Sequence, residues 1–136
     1  MVNGHSTLNN PGDGLMLDNS VQDKAFQFAV RVVKLNQYLV KTHKEYVLAK
    51  QLLRAGTSIA ANISEAQAAQ SHADFIAKMA IASKEARETH YWLRLLCATD
   101  YLNAQDVHVT TLLAQSEELI KLLTSIVKTA QQNQKK

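Results

Sequence analysis

The side chains best suited to chemistry in this 136-residue chain fall in two stretches, residues 54–65, RAGTSIAANISE, and residues 83–96, SKEARETHYWLRLL. The first holds the Gly-Thr-Ser ingredients of a phosphate loop. It lacks the spaced glycines and the lysine of a Walker motif and follows no strand, so it does not make a nucleotide cradle. The second offers Glu85, Glu88, His90 and Tyr91, a set that invites general acid/base or metal chemistry. On a helix His72 shares the azimuth of His90 but stands about 27 Å away along the axis, too far to share a metal. His5, His43 and His108 show no ligand spacing, and neither Glu85 nor Glu88 has a histidine three residues later, as di-iron bundles require. No catalytic residue, metal ligand or cofactor is expected, and the chain does not read as an enzyme.

The elements that position these residues are helices. Of four glycines, Gly4, Gly12 and Gly14 lie in the first fourteen positions with Pro11, and beyond them almost nothing breaks a helix. Residues 1–19 read as a flexible tail. A helix-start pattern then appears four times: Ser20 with Asp23, Thr42 with Glu45, Ser71 with Asp74, and Asn103 with Asp106. In each, a short polar side chain can cap orphan amides, and an acid three residues later favours the helix dipole. The spacing predicts helices near 21–41, 43–69, 72–98 and 104–131, with 132–136 frayed. Short connections make neighbours antiparallel, so the expected fold is all-α: an up-down-up-down four-helix bundle over residues 20–131.

The apolar stripes refine this. Phe75, Met79, Ala82, Ala86, Thr89, His90, Leu93 and Cys97 share one face of the third helix; Leu112, Leu119, Leu123, Ile126, Val127 and Ala130 share one face of the fourth. In the second helix Leu48, Leu52, Gly56, Ile59, Ala60 and Ile63 form the apolar face, so RAGTSIAANISE reads as a helix built for close approach. Arg54, Ser58, Asn62 and Glu65 fall within about 80° on another face, a polar seam between helices or subunits. The first helix carries two apolar lines: Ala25, Phe28, Val32, Leu35 and Leu39, and beside them Phe26, Ala29, Val30, Val33 and Val40. Together they span about 220°, well beyond the arc that one core covers. On the third helix Ile81, Trp92 and Leu96 lie off the core stripe. Extra apolar surface of this kind implies self-association into a cyclic homo-oligomer, with Ile81 and Trp92 as interface anchors.

Net charge is +3, and it is unevenly spread. Residues 20–70 carry seven basic and three acidic side chains. Lys24, Arg31, Lys34 and Lys41 form a strip within about 100° of the first helix, and Arg87 and Arg94 make a second on the third. In a monomer these are solvated faces; repeated around a ring, they become a field able to hold RNA or DNA through phosphates. A single cysteine, Cys97, the lack of a secretory pattern and the lack of an apolar run of roughly 20 residues point to a soluble cytoplasmic protein.

The two motifs, Gln51-Leu-Leu-Arg54 running into Ala-Gly-Thr-Ser-Ile-Ala-Ala-Asn-Ile-Ser-Glu65, and Ser83-Lys-Glu-Ala-Arg-Glu-Thr-His-Tyr-Trp-Leu93, resemble a four-helix-bundle family. It includes the proteins encoded in 23S rRNA intervening sequences and the accessory variability proteins of diversity-generating retroelements. The resemblance covers roughly residues 20–130. It departs at Ala60, where many members have Pro, and at Ala66, where Gly is usual. The resemblance implies a homopentameric, barrel-like ring with a basic surface. For the retroelement branch it implies nucleic-acid binding and a reverse transcriptase partner that makes cDNA. Two expectations follow: a non-enzymatic, pentameric nucleic-acid-binding accessory protein, or a structural oligomer associated with 23S rRNA intervening sequences and touching neither nucleic acid nor a polymerase.

Overall fold

The computed structural model describes residues 19–134. The expected tail therefore lies outside the described residues except for Asn19, which is already helical. Four helices follow, α1 Asn19–His43, α2 Val47–Gln67, α3 His72–Ala98 and α4 Val107–Gln134. Among the described residues there is no strand. The whole of RAGTSIAANISE lies within α2. α4 continues to Gln134, past the expected end at 131.

The helix starts are set by acceptors, though not always the expected ones. Ser71 caps α3 as anticipated: its Oγ accepts from the Asp74 amide at 3.0 Å, and the Asp74 carboxylate accepts from the Gln70 amide at 3.3 Å. For α2 the expected capping by Thr42 gives way. Thr42 is still inside α1, Lys44 turns the chain at φ 54°, and the Glu45 carboxylate accepts the amides of Val47, Leu48 and Ala49. α4 is likewise served by Asp106, which accepts from the His108 amide at 2.8 Å, while Asn103 takes the Gln105 amide in the preceding loop. Ser20 lies inside α1. An acid three residues after a short polar side chain can itself be the acceptor that satisfies the first-turn amides. The end of α3 is closed by a Schellman turn with Asp100 left-handed at φ 69°. The Asp100 amide reaches Cys97 O and the Tyr101 amide reaches Leu96 O.

Cross-helix partners fix the directions. Asn36 of α1 donates to Ala49 O of α2 near the first turn, and Val32 meets Gly56 farther along. His72, Arg87 and His90 of α3 meet Ala130, Thr124 and Ser116 of α4. Lys24 and Arg31 of α1 meet Glu118 and Thr111 of α4. In each pair, numbers climb on one helix as they fall on the other, so these neighbours are antiparallel. Each helix packs on its neighbours in sequence, α1 closes on α4, and the diagonal pairs stay apart. This is a four-helix bundle.

Phe28, Val32 and Leu39 of α1, Leu52, Ile59 and Ile63 of α2, Met79 and Leu93 of α3, and Leu119 and Leu123 of α4 fill the core. Leu96, expected off the stripe, is fully buried. α3 packs on both α2 and α4, so its apolar arc is wider than a single stripe; Thr89 and Leu96, seven apart, extend it on the α2 side. His90 and Cys97 are half-buried. Of the α2 face, Leu52, Gly56, Ile59 and Ile63 are buried, whereas Leu48 and Ala60 are half-buried.

Gly56 sets how near α1 can come. A Cβ built there would stand 2.7 and 2.8 Å from the two Cγ atoms of Val32. Val32 is fully buried and its branched side chain has one strongly preferred helical rotamer, so it cannot swing aside. Gly56→Ala gains about 1 kcal/mol of helix propensity but meets an overpacking cost of about 1–3 kcal/mol, and a net loss of about 1 kcal/mol is expected in urea unfolding. Adding Val32→Ala to it should recover part of the loss. A double-mutant cycle with no coupling would refute the contact.

Candidate functional site

Most of the polar residues singled out from the sequence are engaged inside one chain. Arg54 reaches from α2 to α3, where its guanidinium pairs with Glu85 at 3.3 Å and with Glu88. Glu88 also accepts from Trp92 Nε1 at 3.0 Å. The rest of the seam does not cross between helices: Ser58 donates to Ala55 O, Asn62 donates to Ser58 O, and Glu65 is exposed. Trp92 is half-buried against the core with its ring edge-on to Tyr91, and Ile81 is 40% exposed.

The candidate acid/base residue His90 is a structural group. Its Nδ1 lies 2.9 Å from the Oγ of fully buried Ser116, and that hydroxyl donates to Leu113 O at 2.7 Å. A hydroxyl has one proton, so His90 Nδ1 must be the donor. His72 Nε2 donates to Ala130 O at 2.8 Å, tying the start of α3 to the end of α4. Glu85 and Glu88 are occupied by Arg54. Among the described residues no three of His, Cys, Asp and Glu gather as a metal site.

The six basic residues separate into two groups. Lys24 pairs with Glu118 at 2.7 Å. Arg31 donates to His108 O and Thr111 Oγ1 at 2.9 Å and to Gln115, and Arg87 donates to Thr124 at 2.9 Å. All of these partners lie on α4, so Lys24, Arg31 and Arg87 help to hold the bundle closed. Lys34, Lys41 and Arg94 are exposed and make no such contact with α4, while Lys24 and Arg87 remain exposed as well. Helix-wheel reasoning had placed all six on outward strips because it carries no information on how far a long side chain folds back over a neighbouring helix.

Two surfaces are less visible in the sequence. One is a groove of about 340 Å³ between α1 and α2, lined by Phe26, Ala29, Thr57, Ala60, Ala61 and Ser64. The second apolar line of α1 was legible, but its pairing with the small outer residues of α2 needed the close approach at Gly56. The other surface is a cluster in which His43 stands edge-on to Tyr38 and Tyr101. Tyr38 and His43 are neighbours on α1, and Tyr101 joins them only through the α3–α4 loop.

Such an arrangement defines an all-helical four-helix bundle in which many polar side chains are engaged within the chain and shallow grooves lie between helices. The chain belongs to the 23S rRNA-intervening sequence protein family, whose model matches residues 17–125. It is similar to a solved structure from Bacteroides thetaiotaomicron, a protein of unknown function from the S23 ribosomal protein family. The two share 53% identity over 79% of this chain and 98% of the other, with a TM-score of 0.76. No curated protein matches. No helix of the described residues is long and apolar enough to cross a membrane.

Three measurements check this assignment of roles. Ser116→Ala leaves the His90 donor without its partner and should cost about 1–3 kcal/mol in urea unfolding. Arg54→Ala removes a half-exposed pair and should cost no more than about 1 kcal/mol. Burial pushes the Cys97 thiol up from its ordinary value. The unfolded chain therefore ionises first, and Cys97 stabilises the fold fully only below the ordinary thiol range. That contribution should fade as pH rises through the range, and alkylation of native protein at neutral pH should be slower than of a free thiol.

Proposed function

We propose that the protein is a non-enzymatic, self-associating helical scaffold that works alongside 23S rRNA carrying an intervening sequence. Family membership supports the intervening-sequence branch over the retroelement branch. The observation that carries self-association is on α1: Phe28 is 0% exposed while Phe26, two residues away, is 60% exposed. A phenylalanine left in water beside a groove of small residues is surface made to be covered. Val33, also exposed, extends the same line. A second copy of the chain is the simplest cover, and the resemblance implies a ring of five. On this reading the protein works in the cytoplasm.

The alternative, nucleic acid held along the basic strips with a reverse transcriptase on the ring surface, draws on fewer free charges than the sequence suggests. Lys24, Arg31 and Arg87 also hold α4, which leaves Lys34, Lys41 and Arg94 as the members of the strips that are not shared with that contact. Family membership makes the scaffold reading the stronger.

Light scattering at micromolar concentration should give a mass several times that of one chain. Phe26→Glu places a charge in the groove and should weaken assembly by at least about tenfold while leaving the far-ultraviolet helical signal intact. A wild-type protein that remains monomeric would overturn the proposal.

A further inference from the structure

A cleft of about 330 Å³ opens where the second half of α1 meets the α3–α4 loop and the start of α4. Leu35, Leu102 and Val109 give it apolar surface, and Tyr38 and Tyr101 both line it. The tyrosines are held in place. His43 lies 5.2 Å from the Tyr38 ring at 76° and 5.7 Å from the Tyr101 ring at 88°, and its Nε2 shares a 3.1 Å hydrogen bond with Tyr38 Oη. An edge-on contact fixes the orientation of a ring without covering both its faces, and Tyr38 remains 46% exposed. At the rim Asn103 uses its Oδ1 to accept the Gln105 amide, leaving its amide nitrogen as a donor.

A second cleft of about 240 Å³ adjoins the first, sharing Leu35 and His108, and is lined by Arg31 and Lys34. Arg31 is not a wandering side chain, because three acceptors on α4 fix its guanidinium. No carboxylate lines this second cleft. The acid nearby, Asp106, lines the first and accepts from the His108 amide.

We propose that the paired clefts bind one nucleotide unit, either within single-stranded RNA or as a free nucleoside monophosphate. The base stacks at Tyr38 and Tyr101, and the phosphate lies at Lys34 and Arg31. The division of chemistry carries the choice of ligand. An aromatic apolar cleft beside a cationic one matches a planar ring joined to an anion, whereas inorganic phosphate has no use for the tyrosines and an apolar peptide none for the cations. Lys34 and Tyr38 are one helical turn apart, about 6 Å along the axis, which is the scale of a nucleoside. Base–aromatic stacking is tolerant of sequence, so no single base is selected. This site does not depend on the scaffold reading and uses none of the α1–α2 groove.

Fluorescence anisotropy with short labelled oligouridylate and oligoadenylate, and titration with UMP and AMP, test it on the full chain at about 50 mM salt. Tyr38→Leu should weaken binding by roughly 5- to 100-fold, and Tyr38→Phe should keep most of it. Lys34→Gln, on the surface and harmless to folding, should weaken binding and flatten its salt dependence by about 0.7 in log–log slope. Binding of mononucleotides as well as oligonucleotides identifies the free nucleotide as sufficient; binding of oligonucleotides alone identifies the strand. The proposal is overturned if neither ligand binds, or if Tyr38→Leu and Lys34→Gln both bind like the wild type. Light scattering on the same samples shows whether assembly is intact, so loss of binding without loss of assembly reports on the cleft alone.

Discussion

The distance between α1 and α2 depends on one missing methyl group. Gly56 faces Val32 so closely that any Cβ would collide with it. Everything on that side of the bundle follows from the spacing it permits. Phe28 and Leu39 reach full burial, and Asn36 reaches the Ala49 carbonyl at 2.9 Å near the helix junction. The same closeness brings Phe26 and Ala29 beside Ala60 and Ala61, so that two modest helix surfaces become one groove. A single constraint thus serves both the core and the outer face.

α1 is consequently a helix with three obligations. One line of side chains enters the core, a second borders the α1–α2 groove, and a third grips α4 through Lys24 and Arg31. This explains why its apolar arc is too wide for a single core and why its positive charge is partly consumed inside the chain. The bundle is closed toward α4 by polar contacts and lined there with clefts, whereas α2 meets α1 closely at Gly56 and Val32 and reaches α3 through the Arg54 pairs with Glu85 and Glu88.

Much of this was legible beforehand for physical reasons that can be named. Helix number, order and approximate extent followed from periodicity and from the scarcity of Gly and Pro, and the cap at Ser71 was read correctly because short side chains act locally. Leu96 was misplaced because α3 has two neighbours and a wheel assumes one. Thr42 and Asn103 were misread as caps because Glu45 and Asp106 do that work themselves. Arg31 and Arg87 looked free because their reach across to α4 is a tertiary fact. The Tyr38, His43 and Tyr101 cluster was not legible, since Tyr101 reaches the Tyr38–His43 pair of α1 only when the α3–α4 loop folds back.

The closure of α1 on α4 has a kinetic meaning. All other helix contacts join neighbours in sequence, so they form with little loop-closing entropy and make for fast folding. The α1–α4 seam joins residues 77 to 94 positions apart and is fastened largely by exposed or half-exposed hydrogen bonds and one solvated ion pair. The contact that is costliest to close is therefore also the least anchored by apolar burial. Opening of the native state is therefore expected to begin at this seam, where the fastening groups already lie in or near water.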